Sequence, residues 1–446
     1  MKNTYLFLFS FFLTFQSFAQ FPTNLADKLQ FILEIYDNSS NPYGISVAVN
    51  TNDYGTWEST VGFSHPPVTL DTSMLLGIGS NTKLFTSVLC LKLADNGQLD
   101  LDDPISTWLP TYTNIDPTIT LRQLLQHASG IDDYVDYLLP DTVIDKPNHV
   151  WTPTEVLTYI GPQKFAPGTS VGYSSTNFYL AAMILEQVTG RTYTDLVHDS
   201  ILSPLHMNHT YLEGWENVQG TVAHPWHVNT DFVTVSRVAV GTASWAAGCI
   251  VSTPKEMADW YMKLFNTNFL STQSIHDMTS FINWPNRPYK MGLGIYLSPN
   301  NGDTLWGHSG QTIGYNSLTY FHPEQNFSIS VIINDTYKNP NGVTSSLVKE
   351  IIKQLTILGT DEISNENTIF EVFPNPNNAE SLTVKSMSAR PISNIQILDI
   401  NGHLVYHYSG QPTSKLHINT SEFSTGIYIV LANDGQNIYR EKLVVY

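Results

Sequence analysis

The sequence predicts a mixed α/β protein. An antiparallel sheet is flanked by helices, a mainly helical segment is inserted into that sheet, and an all-β sandwich follows at the C-terminus. Three observations carry this. A helix-period stretch and a hairpin open the chain, a helix-rich middle follows, and strand signals return after residue 288 before a closing helix. Both ends of that run are strand-forming, so one sheet completed by both ends accounts for the order. Beyond residue 368 only strand and turn signals remain.

The elements follow in order. Residues 25–36 place apolar side chains at 25, 29, 32, 33 and 36, a helical stripe. Residues 43–49 alternate as a strand, Asn52-Asp53-Tyr54-Gly55 turns, and 57–63 return. Residues 120–130 read as a short helix stopped by Gly130, and 154–160 as another. A longer helix over 176–188 ends at Gly190, and helices over 194–202 and 254–265 complete the middle. Strands are expected at 290–297, 304–308, 317–321 and 327–334, then a helix over 343–358. Residues 359–368 are polar and acidic, a linker composition. The sandwich, 369–446, has six expected strands (381–385, 393–399, 403–408, 415–419, 426–432, 438–445), with Asn-Gly and Asp-Gly turns at 401–402 and 434–435.

The first 19 residues lie outside this fold. Lys2, an apolar run over 5–15 and Ser17-Phe18-Ala19 describe a secretory signal cleaved after Ala19. That run is too short to span a bilayer, and no later stretch is long and apolar enough, so no transmembrane segment is expected. The domain plan is therefore signal 1–19, catalytic domain 20–358, linker 359–368 and sandwich 369–446. A net charge of −18 argues against nucleic acid or an anionic membrane as partner. Cys90 and Cys249 sit among apolar residues, read as buried thiols, with a disulfide left open.

The chemistry gathers at Gly79-Ser80-Asn81-Thr82-Lys83, where an apolar run meets a helix. Residues three apart on a helix share a face, so Lys83 could take the Ser80 proton if its surroundings keep it neutral. A capping serine beside a surface lysine would look the same. Tyr173 lies at a loop-to-helix junction in Gly172-Tyr173-Ser174-Ser175, and His308 on an expected strand in Trp306-Gly307-His308-Ser309-Gly310-Gln311. Glycines at 307, 310 and 314 would let a substrate lie along that strand's edge.

Taken together, Ser80-x-x-Lys83, Tyr173-Ser174-Ser175 and His308-Ser309-Gly310, with Leu124-Leu125-Gln126-His127-Ala128-Ser129-Gly130 and Ala246-Ala247-Gly248 as flanks, resemble the serine β-lactamase and D-alanyl-D-alanine peptidase superfamily. The resemblance covers about residues 25–358 and is nearest the branch of class C β-lactamases, D-aminopeptidases and related esterases. It implies a β-lactamase/transpeptidase-like fold and acylation of Ser80. Lys83 and Tyr173 would manage the protons, with either as the base. The backbone N–H groups of Ser80 and Gln311 would form the oxyanion hole. His308, Ser175, Ser309 and Gly310 would help hold substrate or the proton network. Two departures stand out: Ser175 replaces a frequent asparagine, and His308 a frequent lysine. Both point away from an efficient β-lactamase and toward a D-amino-acid peptidase or carboxylesterase acting on a small peptide, amide or ester. The alternatives are β-lactamase activity, or a non-catalytic surface protein that binds cell-wall peptides.

The block over about 370–446 resembles the C-terminal sorting domain of type IX secretion substrates, through Phe373-Pro374-Asn375-Pro376, Ile397-Leu398-Asp399-Ile400-Asn401-Gly402 and Ser424-Thr425-Gly426-Ile427-Tyr428. It implies the type IX machinery as partner and a secreted or surface location. A generic adhesion or carbohydrate-binding sandwich is the other reading. His206-x-x-His209 and His224-x-x-His227 lack a third ligand nearby, so no metal and no cofactor are expected.

Overall fold

The computed structural model describes residues 21–446 apart from 38–40, 139–140, 228, 235, 301, 362–369, 379, 388–389, 400–403 and 435–437. The expected secretory signal, most of the expected linker and the Asn401-Gly402 turn therefore lie outside the described residues, as does Gly435 of the second turn. The chain divides into two compact units, residues 1–350 and 351–446.

The first unit is organised on a nine-stranded antiparallel sheet. Its strands are β1 (Gly44–Thr51), β2 (Gly55–His65), β3 (Val68–Thr69), β4 (Ile282–Asn283), β5 (Lys290–Met291), β6 (Tyr296–Asn300), β7 (Asp303–Thr312), β8 (Tyr315–His322) and β9 (Phe327–Ile333), in spatial order β3-β2-β1-β9-β8-β7-β6-β5-β4. N- and C-terminal strands meet where Ile45 pairs with Ile333 and Thr51 with Phe327. One sheet thus takes strands from both ends, as the sequence order predicts. The central strands carry apolar or small residues on both faces, and all of β9 is buried, because helices cover the sheet on each side.

The covering helices follow from their sequences. In α1 (Thr23–Ile35) the stripe Leu25, Leu29 and Leu33 is buried. The helical segment between β3 and β4 contains α2 (Thr82–Asp95), α3 (Thr176–Thr189), α4 (Val238–Gly248) and α5 (Pro254–Asn266). Thr253 caps α5 by accepting the Glu256 N–H, and Pro254 occupies the first turn, where its missing N–H costs nothing. That helix packs on β1 and β9. Residues 82–91 of α2 are all buried, the mark of a helix surrounded by protein. The closing helix α6 (Asn341–Asp361) runs three residues past its expected end, into the first linker positions.

Strand 290–297 of the sequence reading is divided in two. Gly294 adopts φ +69 and approaches α2 so closely that a Cβ there would lie 2.9 Å from the Lys83 carbonyl oxygen. The chain leaves the sheet to make that contact, and β5 and β6 lie on either side of it. Both cysteines are buried free thiols. No helix among the described residues is long and apolar enough to cross a membrane.

The second unit stacks a three-stranded sheet, β10 (Phe370–Phe373), β11 (Ser381–Ser386) and β14 (Lys415–Asn419), on a four-stranded one, β12 (Ile392–Asp399), β13 (Leu404–Thr413), β15 (Gly426–Asn433) and β16 (Ile438–Val445). Leu382, Val384, Ile395, Ile397, Val430 and Leu443 fill the space between them.

Candidate active site

Ser80 sits in the 3-10 turn Gly79–Asn81, which leads directly into α2. The turn leans on β7. β6 pairs with β7 only as far as Tyr296 opposite Gly307, so residues 308–312 present one edge free of β6. Two glycines let the turn reach that edge. Gly79 has φ +51, and a Cβ on it would meet the Gln311 backbone nitrogen at 2.7 Å. A Cβ on Gly310 would meet the Ile78 carbonyl oxygen at 1.8 Å. Ser317 fastens the contact from β8. Its hydroxyl donates to the Ile78 carbonyl at 2.7 Å and accepts from the Asn81 side chain at 2.9 Å. Serine and strand edge are thus held as one piece.

One helical turn after Ser80, Lys83 is fully buried, with Nζ 2.9 Å from Ser80 Oγ and 2.8 Å from the Ala247 carbonyl oxygen. The rings of Tyr173 and Phe178 stand 5.0 and 5.6 Å from the amine. Burial pulls the lysine pKa down to about 7, against the opposing charge of Asp133. The Ala247 carbonyl is free to face the lysine because α4 is kinked at Trp245, which adopts φ 33 and ψ −129. Past the kink, Ala246 O accepts from Thr86 on α2 and Ala247 O from Lys83. Such a conformation costs about 1–3 kcal/mol in a residue with a Cβ. Packing holds it, since the Trp245 ring lies against Tyr179, Tyr193 and Trp215 with centroids 5.3–5.7 Å away.

Tyr173 lines the same cleft as Ser80; burial outweighs the opposing effect of the serine hydroxyl and raises its phenol pKa, so it stands as a neutral phenol. Behind it, His127 stacks on the ring at 4.3 Å and accepts the Ser174 N–H at Nδ1, 3.1 Å away. Its proton is therefore on Nε2, which is buried without a partner. His308 lies 6.0 Å from the Tyr173 ring and 4.9 Å from Tyr296. Its Nδ1 bonds the Ser309 carbonyl, its Nε2 is buried without a partner, and burial drops its pKa to about 3. It is a neutral imidazole throughout the physiological range.

Ser80, Tyr173, Ser175, Ser309 and Gln311 line one cleft of about 680 Å³. Lys83 and His308 lie behind its wall, and Gly310 faces Ile78. The structure thus brings together every residue named from the sequence for the Ser80 site. It adds three. His127 was visible as part of a helix stop, Asp133 had no signal separating it from Asp132, and nothing local marks Trp245 for a positive φ. Asp133 lines the cleft, as do Trp284, Arg287 and Tyr296. The paired histidine motifs do not converge. His224 bonds Asp231 at 2.7 Å, His209 bonds Glu256 at 3.2 Å, and no metal-holding cluster of three or more His, Cys, Asp or Glu occurs among the described residues.

Comparison with known proteins agrees with this architecture. The family model described as Beta-lactamase matches residues 39–349, and the Secretion system C-terminal sorting domain model matches 371–446. Among curated proteins, Protein flp of Staphylococcus aureus (strain N315) is 30% identical over 267 residues, 58% of this chain and 52% of that protein. The chain thus spans about half the length of the first curated relatives it matches. The D-alanyl-D-alanine-carboxypeptidase/endopeptidase AmpH of Escherichia coli (strain K12) is 26% identical over 302 residues, 61% of this chain and 75% of that one. Among solved structures, a D-stereospecific amidohydrolase from Streptomyces sp. superposes with TM-score 0.62 at 27% identity, covering 70% of this chain and 95% of that one. A D-amino acid amidase from Ochrobactrum anthropi SV3, complexed with D-phenylalanine, shares the fold at TM-score 0.67 and 23% identity, covering 74% and 99%.

Proposed function

The chain belongs to the beta-lactamase family of serine hydrolases and carries a type IX secretion sorting domain, and on that premise we propose that it is an exported amidase or peptidase of D-amino-acid substrates that works through an acyl-enzyme on Ser80. The observation that carries this reading is the buried Lys83 amine 2.9 Å from Ser80 Oγ with a pKa near 7. A lysine drawn down this far by burial is available as a neutral amine near neutral pH and can accept the serine proton. Tyr173, with its raised pKa, is poorly suited to be that base and well suited to donate.

The steps follow. Neutral Lys83 takes the proton from Ser80 Oγ as the oxygen attacks the substrate carbonyl carbon. The backbone N–H groups of Ser80 and Gln311 receive the oxyanion. The C–N bond breaks as the proton passes from Lys83, through the Tyr173 hydroxyl, to the leaving nitrogen. Water then adds to the acyl carbon and gives a proton to Lys83, which returns it to Ser80 Oγ as the acyl C–O bond breaks, releasing the acid, free Ser80 and neutral Lys83. The net change is amide plus water to acid plus amine. An ester follows the same route with an alcohol leaving. Neutral His308 offers no charge to a β-lactam carboxylate, which favours amide and ester chemistry over β-lactamase action. The D-configuration is taken from the named activities of the similar amidohydrolase and carboxypeptidase.

Export to the surface or medium follows from the sorting domain, and we place signal cleavage after Ala19 and the catalytic domain over 20–358. Mass spectrometry of the mature N-terminus tests the first boundary. The function is tested with a fluorophosphonate probe read by intact mass. One adduct on the wild type, absent in Ser80→Ala, is expected. No adduct, or one that persists in Ser80→Ala, refutes the mechanism and leaves a peptide-binding relative.

A further inference from the structure

Asp133 carries no proton in the scheme above, yet it stands in the same cleft wall as Ser80, Tyr173 and Ser175 and is only 8% exposed. Its carboxylate accepts the Val135 N–H at 3.2 Å and faces the Ser175 N–H. The charge of Asp133 acts on both Lys83 and Tyr173, so the acid stands close to the reacting centre. The cations nearby are engaged elsewhere: Lys164 pairs with Asp132 at 2.6 Å and with Asp136 at 3.6 Å, the acids on either side, and the Arg287 guanidinium lies over the Trp284 ring at 5.8 Å. Among the described residues no cation forms a salt bridge with Asp133, and Lys83 acts on it from beyond that range. A carboxylate taken out of water against a backbone donor, the Val135 N–H, is under-compensated, and a ligand cation would complete its shell.

The cleft can supply such a ligand. An α-ammonium nitrogen lies about 2.5 Å from the carbonyl carbon of the same residue, as bond lengths and the angle at Cα require. A substrate whose carbonyl sits over Ser80 therefore carries its amine alongside the scissile group, within the wall that Asp133 helps to form. Tyr134, Trp284 and Tyr296 line the cleft around it, apolar surface for a side chain and π-faces that tolerate a cation.

We propose that Asp133 receives the free α-ammonium of an aminoacyl substrate, so that the cleft selects α-amino amides and peptides with an unblocked N-terminus. This rests on the Ser80 hydrolase reading and refines its substrate class. The ammonium is bound and released unchanged; the bond that breaks is the amide C–N beside it.

The test compares D-phenylalanine p-nitroanilide with its N-acetyl derivative, on wild type, Asp133→Asn and Asp133→Glu, with p-nitrophenyl acetate as an acyl donor that has no amine. Asparagine keeps an oxygen for the Val135 and Ser175 N–H groups, and thermal melts confirm that each variant is folded. In the wild type the free amine should be preferred in kcat/KM by about 10- to 100-fold, the size of one charge-assisted hydrogen bond. The preference should fall to near one in Asp133→Asn, mainly through KM, and be partly kept in Asp133→Glu. Wild-type turnover of p-nitrophenyl acetate with no preference for the free amine overturns this inference and leaves the hydrolase reading standing. So does a preference that survives Asp133→Asn. No turnover of any of the three together with no fluorophosphonate adduct on Ser80 overturns both.

Discussion

The two units treat their buried polar groups in opposite ways. In the sandwich, the fully buried Asn377 and Thr420 are uncharged, bond one another at 2.9 Å and tie down the Ser381 carbonyl. In the hydrolase unit, Lys83, His127, His308 and Asp133 crowd one cleft, two imidazole nitrogens there have no partner, and a tryptophan is held at positive φ. Buried polar groups that serve only stability are satisfied. Groups held in low dielectric with perturbed pKa values and strained supports mark a place where stability has been exchanged for chemistry. Both units bury apolar side chains between packed layers, so the contrast lies in what the polar groups do.

The contrast can be broken by making a catalytic group behave like a structural one. Lys83→Met should lower kcat/KM by about 10³-fold or more, as expected for losing a base and its proton path, while raising the melting temperature by a few degrees at pH 6–7. The sign follows from the lysine's folded pKa of about 7 against 10.5 unperturbed. Between those values the unfolded chain binds the extra proton, so this group's contribution to stability rises with pH. The Met variant's gain should therefore be largest at and below pH 7 and fade toward pH 10.5. A variant that melts lower at pH 6.5 contradicts this. The next largest effect is at the kink. Trp245→Ala should cost about 3–5 kcal/mol in denaturant melts, as for other buried aromatic truncations, and should reduce turnover in the fraction still folded. A loss of stability with unchanged kcat would mean that the Ala247 carbonyl does not depend on the kink.

Smaller effects sharpen the comparison from the other side. Asp133 raises the lysine pKa, so Asp133→Asn should move the acid limb of kcat/KM for the amine-free ester to lower pH; a limb that stays put removes the electrostatic link. In the sandwich, burial and then Glu371 push Glu441 up to about 7. Its folded form holds a proton the unfolded form has lost between about pH 4.5 and 7, so that unit should gain stability as pH falls through this window. Glu441→Gln should flatten the trend. Smallest of all, a chain ending at Asp361 should keep kcat/KM within about two-fold, because no residue of the second unit belongs to the proposed chemistry.

Much of this was legible in the sequence, for reasons that differ by residue. Ser80 and Lys83 are one helical turn apart, so their meeting is a local consequence of helix geometry. Tyr173 and His308 needed the family resemblance, because nothing in their own neighbourhoods brings them to Ser80. The sheet was readable from the order of periodic segments, but the break at Gly294 was not, since it arises from a long-range approach to Lys83. Asp133 was hidden because only tertiary structure decides that Lys164 pairs with its neighbours and leaves it facing the cleft. Trp245 was hidden because no residue pattern signals a positive φ in tryptophan.

The proposed chemistry turns on a buried Lys83, its pKa lowered by burial, activating Ser80. The rate of fluorophosphonate labelling between pH 5 and 9, read by intact mass, tests it most directly. The account predicts a rate that climbs with an apparent pKa near 7, collapses in Lys83→Met and vanishes in Ser80→Ala. A rate that is flat across that range, or that survives in Lys83→Met, would contradict it.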